Sequence, residues 1–242
     1  MKAMILAAGE GRRMRPLTNT TPKPLLRVSG RPLIEHHIVR LRDAGFSEIV
    51  VNVSYFGQQL VDFLGAGDQW SVAISVSMEA SPLETAGGVI QALSLLGDEP
   101  FALVNGDIFT DYPFADLCDI SPAADGAHIV LVPNPAHHVK GDFALNGRHV
   151  EAPDLMGRPY QKRSNRETTI SPTATYSGIG VYDPALFTTC APGKRPLKPL
   201  LDGAIAGGTL SGELYQGMWE DVGTPERLAE LNRRFPSDSV NQ

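Results

Sequence analysis

The chain has 242 residues, a mass of 26.0 kDa and a formal net charge of −6, which suits one compact acidic domain or one domain with an insertion. The acidic balance argues against a general nucleic-acid surface, and no apolar run approaches the roughly 18 residues that span a bilayer. We therefore expect a cytoplasmic protein without nucleic-acid or membrane partners, and its two cysteines are too few for a disulfide framework or a thiolate zinc site.

The first 107 residues alternate between apolar strand patterns and amphipathic helix patterns. The predicted strands cover 3–8, 48–54, 72–78 and 100–107, and the predicted helices cover 32–44, 55–64 and 86–96. Pro32 suits the first turn of the first helix, and Gly45 suits its C-terminal stop. Strands that alternate with helices at this spacing form right-handed βαβ units. The sequence therefore predicts an α/β fold with a doubly wound, mainly parallel, Rossmann-like sheet.

After Asp107 the alternation loosens into a second half with more β structure. The predicted elements there are strands at 128–133, 176–184 and 210–223, a hairpin over 141–153, and helices at 198–208 and 224–235. Asn146-Gly147 favours the hairpin turn, and Thr224 can cap the last helix. The polar stretch from Met156 to Thr175 is predicted to be a loop over an opening. We expect a single domain, 1–242, whose second half is inserted around a cleft.

A basic loop that contains glycines follows the first strand. Its glycines are Gly9 and Gly11, and its cations are Arg12, Arg13, Arg15 and Lys23, the last between two prolines. In doubly wound sheets, ligands bind beyond the carboxyl ends of the strands, where this loop should lie. Glycine backbone N–H groups and arginine side chains together suit phosphate oxygens. The loop thus predicts a phosphate site, with a mobile surface loop of solvated arginines as the alternative.

Two common nucleotide-binding motifs are not matched. The segment GEGRRM has Met14 where the G-x-G-x-x-G pattern of dinucleotide folds needs its third glycine. The second strand ends in Asn52 and Ser54, where a ribose-binding carboxylate would be expected. These departures count against a nicotinamide cofactor, and no G-x-x-x-x-G-K-[ST] is present to form a P-loop.

Two aspartates end strand-like runs at the predicted ligand edge. Asp107 closes LVNGD, and Asp221 lies in MWEDVGT. Each alone is typical of a turn or a helix cap, which is the role we expect for Asp111 and Asp116. Together, beside a basic loop, Asp107 and Asp221 could share one Mg²⁺, which typically takes one or two protein carboxylates besides waters and phosphates. The pair therefore predicts a magnesium site for chemistry at phosphorus.

The segment MEASPLETAGG joins the third strand to a helix. Ala86, Gly87 and Gly88 are small enough for a flat ring to approach the backbone, and Glu79 could accept a hydrogen bond from an imide N–H. A tight strand-to-helix turn with a glycine packed on the sheet is the alternative. The segment is a candidate base-binding turn.

Four motifs resemble those of the sugar-1-phosphate nucleotidyltransferases, in the same order and at the same spacing. They are LAAGEGRRMRPLTNTTPKPLL, PLETAGG, NGD and WEDVGTPE, and the resemblance covers essentially the whole chain. It implies that a sugar 1-phosphate attacks the α-phosphorus of a nucleoside triphosphate and that pyrophosphate leaves. It further implies UTP as the nucleotide, Mg²⁺ as the cofactor and no general base, because a sugar phosphate is already ionised.

The resemblance also implies roles for individual residues. Nucleotide binding falls to Ala8, Gly9, Gly11, Arg13, Lys23, Glu79, Thr85, Gly88 and Asp107. Sugar binding falls to Asn105, Asp142, Phe143, Tyr176 and Trp219. Arg13 and Lys23 are the expected catalytic cations, and Asp107 and Asp221 are the expected Mg²⁺ ligands. The nucleotide-binding part would cover about 1–110 and 217–235, and the sugar-binding part about 111–216.

The chain departs from the family pattern at several positions. Arg12 follows Gly11 where Ser or Thr is usual, and Glu84 stands where many relatives have glycine. No clear E-K-P element is present, whose lysine helps hold the sugar phosphate in relatives, and Lys162 is a candidate substitute. Because the chain stops soon after its last predicted helix, we expect a monomer.

Three functions stay open on the sequence alone. The resemblance favours uridylyl transfer, whereas thymidylyl, cytidylyl or guanylyl transfer to a glucose- or mannose-type sugar phosphate would need the same motifs. A catalytically silent nucleotide-sugar-binding regulator on the same fold is the third. The presence of Arg13, Lys23, Asp107 and Asp221 weighs against silence.

Overall fold

The computed structural model describes residues 1–153 and 173–236. Its strands are β1 (Ala3–Leu6), β2 (Arg27–Val28), β3 (Arg31–Pro32), β4 (Glu48–Val53), β5 (Ala73–Met78), β6 (Phe101–Asn105), β7 (Ile108–Thr110), β8 (Ala127–Val132), β9 (Phe143–Asn146), β10 (His149–Glu151), β11 (Thr173–Tyr182), β12 (Leu210–Leu214) and β13 (Trp219–Asp221). Its α-helices are α1 (Leu33–Asp43), α2 (Gly57–Leu64), α3 (Glu84–Leu96), α4 (Ala185–Thr188), α5 (Lys198–Gly207) and α6 (Pro225–Arg234).

One mixed sheet of nine strands runs through the molecule, in the order β5-β4-β1-β6-β11-β8-β12-β10-β9. β5, β4, β1 and β6 are parallel, with Ala3 of β1 level with Ile49 of β4 and Ala102 of β6. β11 joins the two halves, because it pairs antiparallel with β6 on one side and with β8 on the other. The parallel half therefore presents its carboxyl ends at one edge, where a ligand site is expected.

Helices cover both faces of the parallel half. Successive side chains of a strand point to opposite faces, so in β1 Ala3 and Ile5 pack with α1 and α2, whereas Met4 packs with α3. Burial on both faces explains why β1 reads as a continuous apolar run. The doubly wound α/β fold is confirmed. Among the helices of the described ranges, none is long and apolar enough to cross a membrane.

Several predicted elements coincide with the observed ones. The helix predicted over 32–44 is α1 (Leu33–Asp43). The hairpin of β9 and β10 forms as predicted, but Asn146 pairs with His149, so the turn residues are Gly147 and Arg148 rather than Asn146-Gly147, with Gly147 at φ +62°. Thr224 caps α6, because its Oγ1 accepts the backbone N–H of Arg227.

Other boundaries differ from the sequence prediction. The sequence predicts one strand over 210–223, but the structure has β12 in the main sheet and β13 paired with β7 in a separate ribbon. The fourth strand ends at Asn105, so Asp107 lies in the turn before β7. Residues 173–175 of the predicted loop belong to β11, and the rest of that loop, 156–172, lies outside the described residues.

Candidate active site

A cleft of about 440 Å³ lies at the carboxyl ends of β1, β4 and β6. The predicted nucleotide-binding residues on its wall are Ala8, Gly9, Gly11, Arg13, Lys23, Glu79, Thr85 and Asp107. Gly88 lies directly behind the wall, since a Cβ there would come within 2.7 Å of side-chain atoms of Asn52 and Glu79. The structure thus brings the residues predicted for nucleotide binding to one place, although three separate segments supply them.

The basic loop after β1 is folded into short turns. Residues 12–14, 17–19 and 23–25 each form one 3₁₀ turn. Gly11 adopts φ +61°, and a Cβ there would lie 3.0 Å from Thr18 Cγ2, so the bend needs glycine. Thr18 Oγ1 donates a hydrogen bond to the Gly11 carbonyl oxygen at 2.8 Å. These contacts give the loop internal structure, which argues against the alternative of a mobile surface segment.

Lys23 is held at the back of the cleft. It is only 8% exposed, and its Nζ donates to Asp107 Oδ2 at 2.8 Å. A buried ammonium group needs such a partner to offset the loss of hydration. Pro22 and Pro24 restrict the backbone on either side, which fixes the direction of the side chain. Lys23 and Asp107 therefore form one preorganised unit.

The second predicted metal ligand lies beside the first. In the β7–β13 ribbon Asp221 is paired with Ile108, and the backbone N–H of Val222 donates to the Asp107 carbonyl oxygen at 2.8 Å. Asp221 Oδ1 accepts from Arg227 Nη1, and His137 Nε2 lies 3.2 Å from the same oxygen. The ribbon thus joins two aspartates that are far apart in sequence.

These carboxylates fit a hard divalent cation. Asp107 meets Lys23 through Oδ2 and Asp221 meets Arg227 through Oδ1, so in the described residues Asp107 Oδ1 and Asp221 Oδ2 have no hydrogen-bond partner. Carboxylate oxygens are the ligands that Mg²⁺ prefers, and it takes one or two of them. Over 1–153 and 173–236 no group of three or more His, Cys, Asp or Glu side chains could hold a metal. The arrangement suits an ion that shares its shell with substrate phosphates.

Gly223 brings a further cation to the same point. A Cβ at Gly223 would lie 2.9 Å from Asp221 Oδ2 and 3.5 Å from Arg13 Nη2. The guanidinium of Arg13 is therefore close to the free oxygen of Asp221. Arg13 is exposed at the cleft wall and has no ion pair within the described part of the chain. It is free to bind an anion.

A buried polar network supports the other end of the cleft. Glu79 is 3% exposed, and its Oε1 accepts from Asn52 Nδ2 at 2.7 Å while its Oε2 accepts from the Leu83 N–H at 2.9 Å. Asn52 Oδ1 accepts from the Ala7 N–H at 2.7 Å. Both oxygens of Glu79 are thus engaged in holding β1, β4 and the β5–α3 turn together. Glu79 thus lines the cleft and at the same time supports its wall through these contacts.

Glu84 and Lys194 form the outer rim at this end. Lys194 Nζ lies 3.3 Å from Glu84 Oε1, and both residues line the cleft. The segment that carries Lys194 is fastened to α3 by two backbone hydrogen bonds: Arg195 N–H donates to Leu83 O at 2.9 Å, and Gly87 N–H donates to Arg195 O at 3.1 Å. A Cβ at Gly87 would collide with the carbonyl oxygen of Gly193.

The backbone of Glu84 is strained. Its φ is +61°, a left-handed conformation that costs a non-glycine residue roughly 1–2 kcal/mol. The ion pair with Lys194 offsets about 0–1 kcal/mol of this cost, because both side chains are largely in solvent. Stability therefore does not explain why Glu84 stands where glycine would be relaxed. Strain of this kind concentrates at functional sites.

The predicted sugar-binding residues are dispersed. Asn105 lines the cleft. Phe143 is 2% exposed in the core, and burial raises the pKa of Tyr176, whose hydroxyl meets that of Tyr182 at 2.8 Å. Trp219 Nε1 donates to Ser177 O at 2.9 Å. These contacts point inward.

Asp142 lies apart from the main cleft. It borders a second cleft of about 330 Å³ together with Lys198 and Asp202. Asp142 Oδ1 lies 3.0 Å from His138 Nε2, and its Oδ2 accepts from the Tyr176 N–H at 2.9 Å. These contacts fasten the β8–β9 loop to β11. Lys162, the candidate sugar-phosphate lysine, lies outside the described residues.

Four residues of the site were not singled out as site residues from the sequence. Asn52 is the next-to-last residue of β4, where the sequence lacks the carboxylate that a dinucleotide site would need. His137, Lys194 and Arg227 reach the site from segments that carry no motif of their own. Their only sequence signal is a cation in a loop or in a first helical turn, which is common on any surface.

Comparison with known proteins is consistent with this geometry. A family model described as nucleotidyl transferase matches residues 2–237. N-acetylmuramate alpha-1-phosphate uridylyltransferase of Neisseria meningitidis serogroup B is 47% identical over 235 residues, which cover 95% of this chain and 96% of that protein. Mannose-1-phosphate guanyltransferase of Schizosaccharomyces pombe is 32% identical over 93% of this chain and 62% of its own length.

A solved structure shares the fold. It is a proposed glucose-1-phosphate thymidylyltransferase from Bacillus anthracis, crystallised with a sucrose. The TM-score is 0.81 at 21% identity, and the match covers 100% of this chain and 97% of that one. At this identity the likeness concerns the fold alone.

Proposed function

This chain belongs to the nucleotidyl transferase family, and from that premise we propose that it transfers the uridylyl group of UTP to N-acetylmuramate α-1-phosphate. The products are UDP-N-acetylmuramate and pyrophosphate, and the activity would serve the recycling of cell-wall sugars. The observation that carries the proposal is the 47% identity to a uridylyltransferase over 95% of the chain. The cleft with its cations and paired carboxylates supports it.

In this proposal the chemistry is one displacement at phosphorus. An oxygen of the sugar phosphate forms a bond to the α-phosphorus of UTP while the bond from that phosphorus to the pyrophosphate oxygen breaks. Arg13, Lys23 and the backbone N–H groups of Gly9 and Gly11 hold the triphosphate and the leaving pyrophosphate. No general base is required. Positioning and charge stabilisation would each supply on the order of several kcal/mol.

Asp107 and Asp221 would hold Mg²⁺ through Asp107 Oδ1 and Asp221 Oδ2. When bound, the ion would neutralise part of the charge at the reacting phosphate. Lys23 and Arg227 keep the opposite oxygens of the two carboxylates occupied, which leaves Asp107 Oδ1 and Asp221 Oδ2 for the ion. Residues of about 1–110 and 217–235 then serve the nucleotide, and residues of about 111–216 the sugar.

The direct test is incubation of the purified protein with Mg²⁺, UTP and N-acetylmuramate α-1-phosphate. Pyrophosphate release together with UDP-N-acetylmuramate by mass spectrometry is the expected result. If pyrophosphate is released only with another triphosphate and another sugar phosphate, that pair would replace UTP and N-acetylmuramate α-1-phosphate as the substrates. Silence across a full panel would favour a non-catalytic nucleotide-sugar-binding regulator.

A second candidate is guanylyl transfer to mannose 1-phosphate. The 32% identity to a mannose-1-phosphate guanyltransferase over 93% of the chain favours it as the first alternative to test. Product analysis with GTP and mannose 1-phosphate separates the two. We further propose a cytoplasmic monomer, which light scattering of the purified protein would test for oligomeric state.

A further inference from the structure

We propose that His137 is a positioning residue of the proposed metal site, because it holds the carboxylate of Asp221 in the orientation that metal binding needs. The inference rests on the proposed function, which assigns Asp107 and Asp221 to Mg²⁺. His137 belongs to the loop between β8 and β9, within the part of the chain that is proposed to serve the sugar. The sugar-binding part therefore contributes a residue to the metal site.

Two donors converge on one oxygen of Asp221. His137 Nε2 lies 3.2 Å from Asp221 Oδ1. An ionised carboxylate only accepts hydrogen bonds, so Nε2 carries a proton and is the donor of this contact. Arg227 Nη1 donates to the same oxygen. In the described residues Asp221 Oδ2 has no hydrogen-bond partner, so the two donors leave this oxygen for an ion.

The donor from His137 adds a constraint that Arg227 alone does not give. Arg227 follows Asp221 by six residues, in the helix after β13, and a carboxylate held by one donor can still rotate about its bond to Cβ. Arg13 favours such a rotation, because a Cβ at Gly223 would lie 2.9 Å from Asp221 Oδ2 and 3.5 Å from Arg13 Nη2. The hydrogen bond from His137 opposes it and keeps Oδ2 available to the metal.

The loop that carries His137 is fastened to β11. Asn134 Nδ2 donates to Thr173 O at 3.1 Å, and Asn134 Oδ1 accepts from Thr175 Oγ1 at 2.9 Å. At the end of the loop, the backbone N–H of Asp142 donates to Ala174 O at 2.8 Å. Because β11 also pairs with β6, the imidazole is presented from a frame that both halves of the sheet share.

The exposure of the contact separates a functional from a purely structural role. The side chains of His137 and Asp221 are 37% and 21% exposed. A pair that is open to solvent to this extent contributes little to stability. Residues that hydrogen-bond a metal ligand, by contrast, typically lower metal affinity about 10- to 100-fold when they are removed. Loss of His137 should therefore appear in metal binding and not in unfolding.

The test is a Mn²⁺ titration of the purified full-length protein without substrates, in which electron paramagnetic resonance measures the free ion. Mn²⁺ replaces Mg²⁺ because it prefers the same oxygen ligands. We expect His137→Ala to raise the dissociation constant for Mn²⁺ at least about 10-fold. His137→Gln should restore a value near that of the wild type, since its amide nitrogen can donate from the position of Nε2. His149→Ala, at an exposed position of β10, is the matched control.

Thermal unfolding of all variants should match that of the wild type. An unchanged dissociation constant in His137→Ala would overturn the inference, and so would a loss in His137→Gln as large as that in His137→Ala. Because the readout is metal binding, it stands apart from turnover. Wild type that binds Mn²⁺ through His137 but releases no pyrophosphate would contradict the proposed function and leave the inference supported.

Discussion

At the phosphate end of the cleft, single charged residues are balanced in pairs. Lys23 compensates Asp107, and Arg227 compensates Asp221. The carboxylates of Asp107 and Asp221 can therefore lie near each other without uncompensated repulsion. Arg13 carries no such partner in the described ranges, which agrees with the proposal that it binds a phosphate of the substrate. At this end Lys23, Asp107, Asp221 and Arg227 are ion-paired, whereas Arg13 lines the cleft without an ion pair among the described residues.

Replacing Asp107 by Asn should effectively abolish Mg²⁺-dependent turnover, which we expect to fall about 100-fold or more. The reason is that a neutral amide is a poor ligand for a hard cation. The fold should persist, because Asp107 is 42% exposed at its side chain and an amide oxygen can still accept from Lys23. Pyrophosphate release across a Mg²⁺ titration and a thermal unfolding curve measure both effects. Asp116→Asn, at an exposed aspartate, is the control, and near-normal turnover of Asp107→Asn would refute the metal assignment.

Residues of the phosphate end were predictable because one local motif carries most of them. Residues of the sugar half were not. Phe143 is buried through the pairing of β9 with β10 and β11, and a strand pattern alone does not say which face meets the core. Lys194 reaches the rim only through backbone contacts with α3, which leave no trace in the sequence around it.

At the scale of elements, the start of α3 is assembled from two distant segments. An orphan N–H of its first turn, that of Gly87, finds its acceptor in Arg195 O. The loop of 193–195 thus acts as the cap of the helix. Packing is close, because the carbonyl oxygen of Gly193 occupies the space that a Cβ at Gly87 would need.

Gly87→Ala should displace this cap and disturb the rim. We expect a lower thermal unfolding temperature and an increase of about 10-fold in the KM for UTP, since the loop that carries Lys194 must move. Gly203→Ala in α5 is the matched control. No atom lies within 4 Å of a Cβ there, so Ala should stabilise the helix by about 1 kcal/mol and leave KM unchanged. An unchanged KM in Gly87→Ala would show that the rim tolerates the shift.

Elements with sustained periodicity were predictable, and α1 with its flanking Pro32 and Gly45 is the clearest example. The break between β12 and β13 was missed. Strand-forming residues continue through 210–223, and the turn signal at Gln216-Gly217 lies within that pattern. The separation is decided by long-range pairing, since β12 joins β8 and β13 joins β7.

At the scale of the whole molecule, buried histidines make stability depend on pH. Burial lowers the pKa of His37 to about 4, and burial also lowers the pKa of His36 and of His128. In the unfolded chain a histidine titrates near 6.5. Between pH 6.5 and 4 His37 therefore binds more protons in the unfolded state than in the native state, so its contribution to the free energy of unfolding falls as the pH falls and is fully present above this window.

Lowering the pH from 7 to 5 should cost roughly 2 kcal/mol of stability from His37, at 1.36 kcal/mol for each unit of pKa difference. Urea unfolding of the wild type and of His37→Gln at the two pH values measures it. In His37→Gln the free energy of unfolding should lose most of the pH dependence that His37 contributes. His149→Gln, at an exposed position of β10, should retain the wild-type dependence, and equal behaviour of both variants would contradict the assignment to His37.

The parallel half of the sheet was predictable as a whole, because alternating strands and helices leave few right-handed arrangements. The order β8-β12-β10-β9 could not be predicted from the sequence. Only β9 and β10, which form a hairpin, are neighbours both in the chain and in this part of the sheet. Fold class thus follows from the local pattern. The shape of the second half depends on pairings between distant segments.

The β7–β13 ribbon has a consequence for the synthesis of the protein. Residues 1–110 leave the ribosome first, and with them come the basic loop, Lys23 and Asp107. Asp221, in β13, emerges after them, and α6 with Arg227 follows it. A non-local pairing forms only after both strands are available. A nascent chain that has not yet released β13 therefore contains Asp107 without Asp221. The proposed metal site would therefore be completed only when β13 pairs with β7, so the order of synthesis alone delays its assembly.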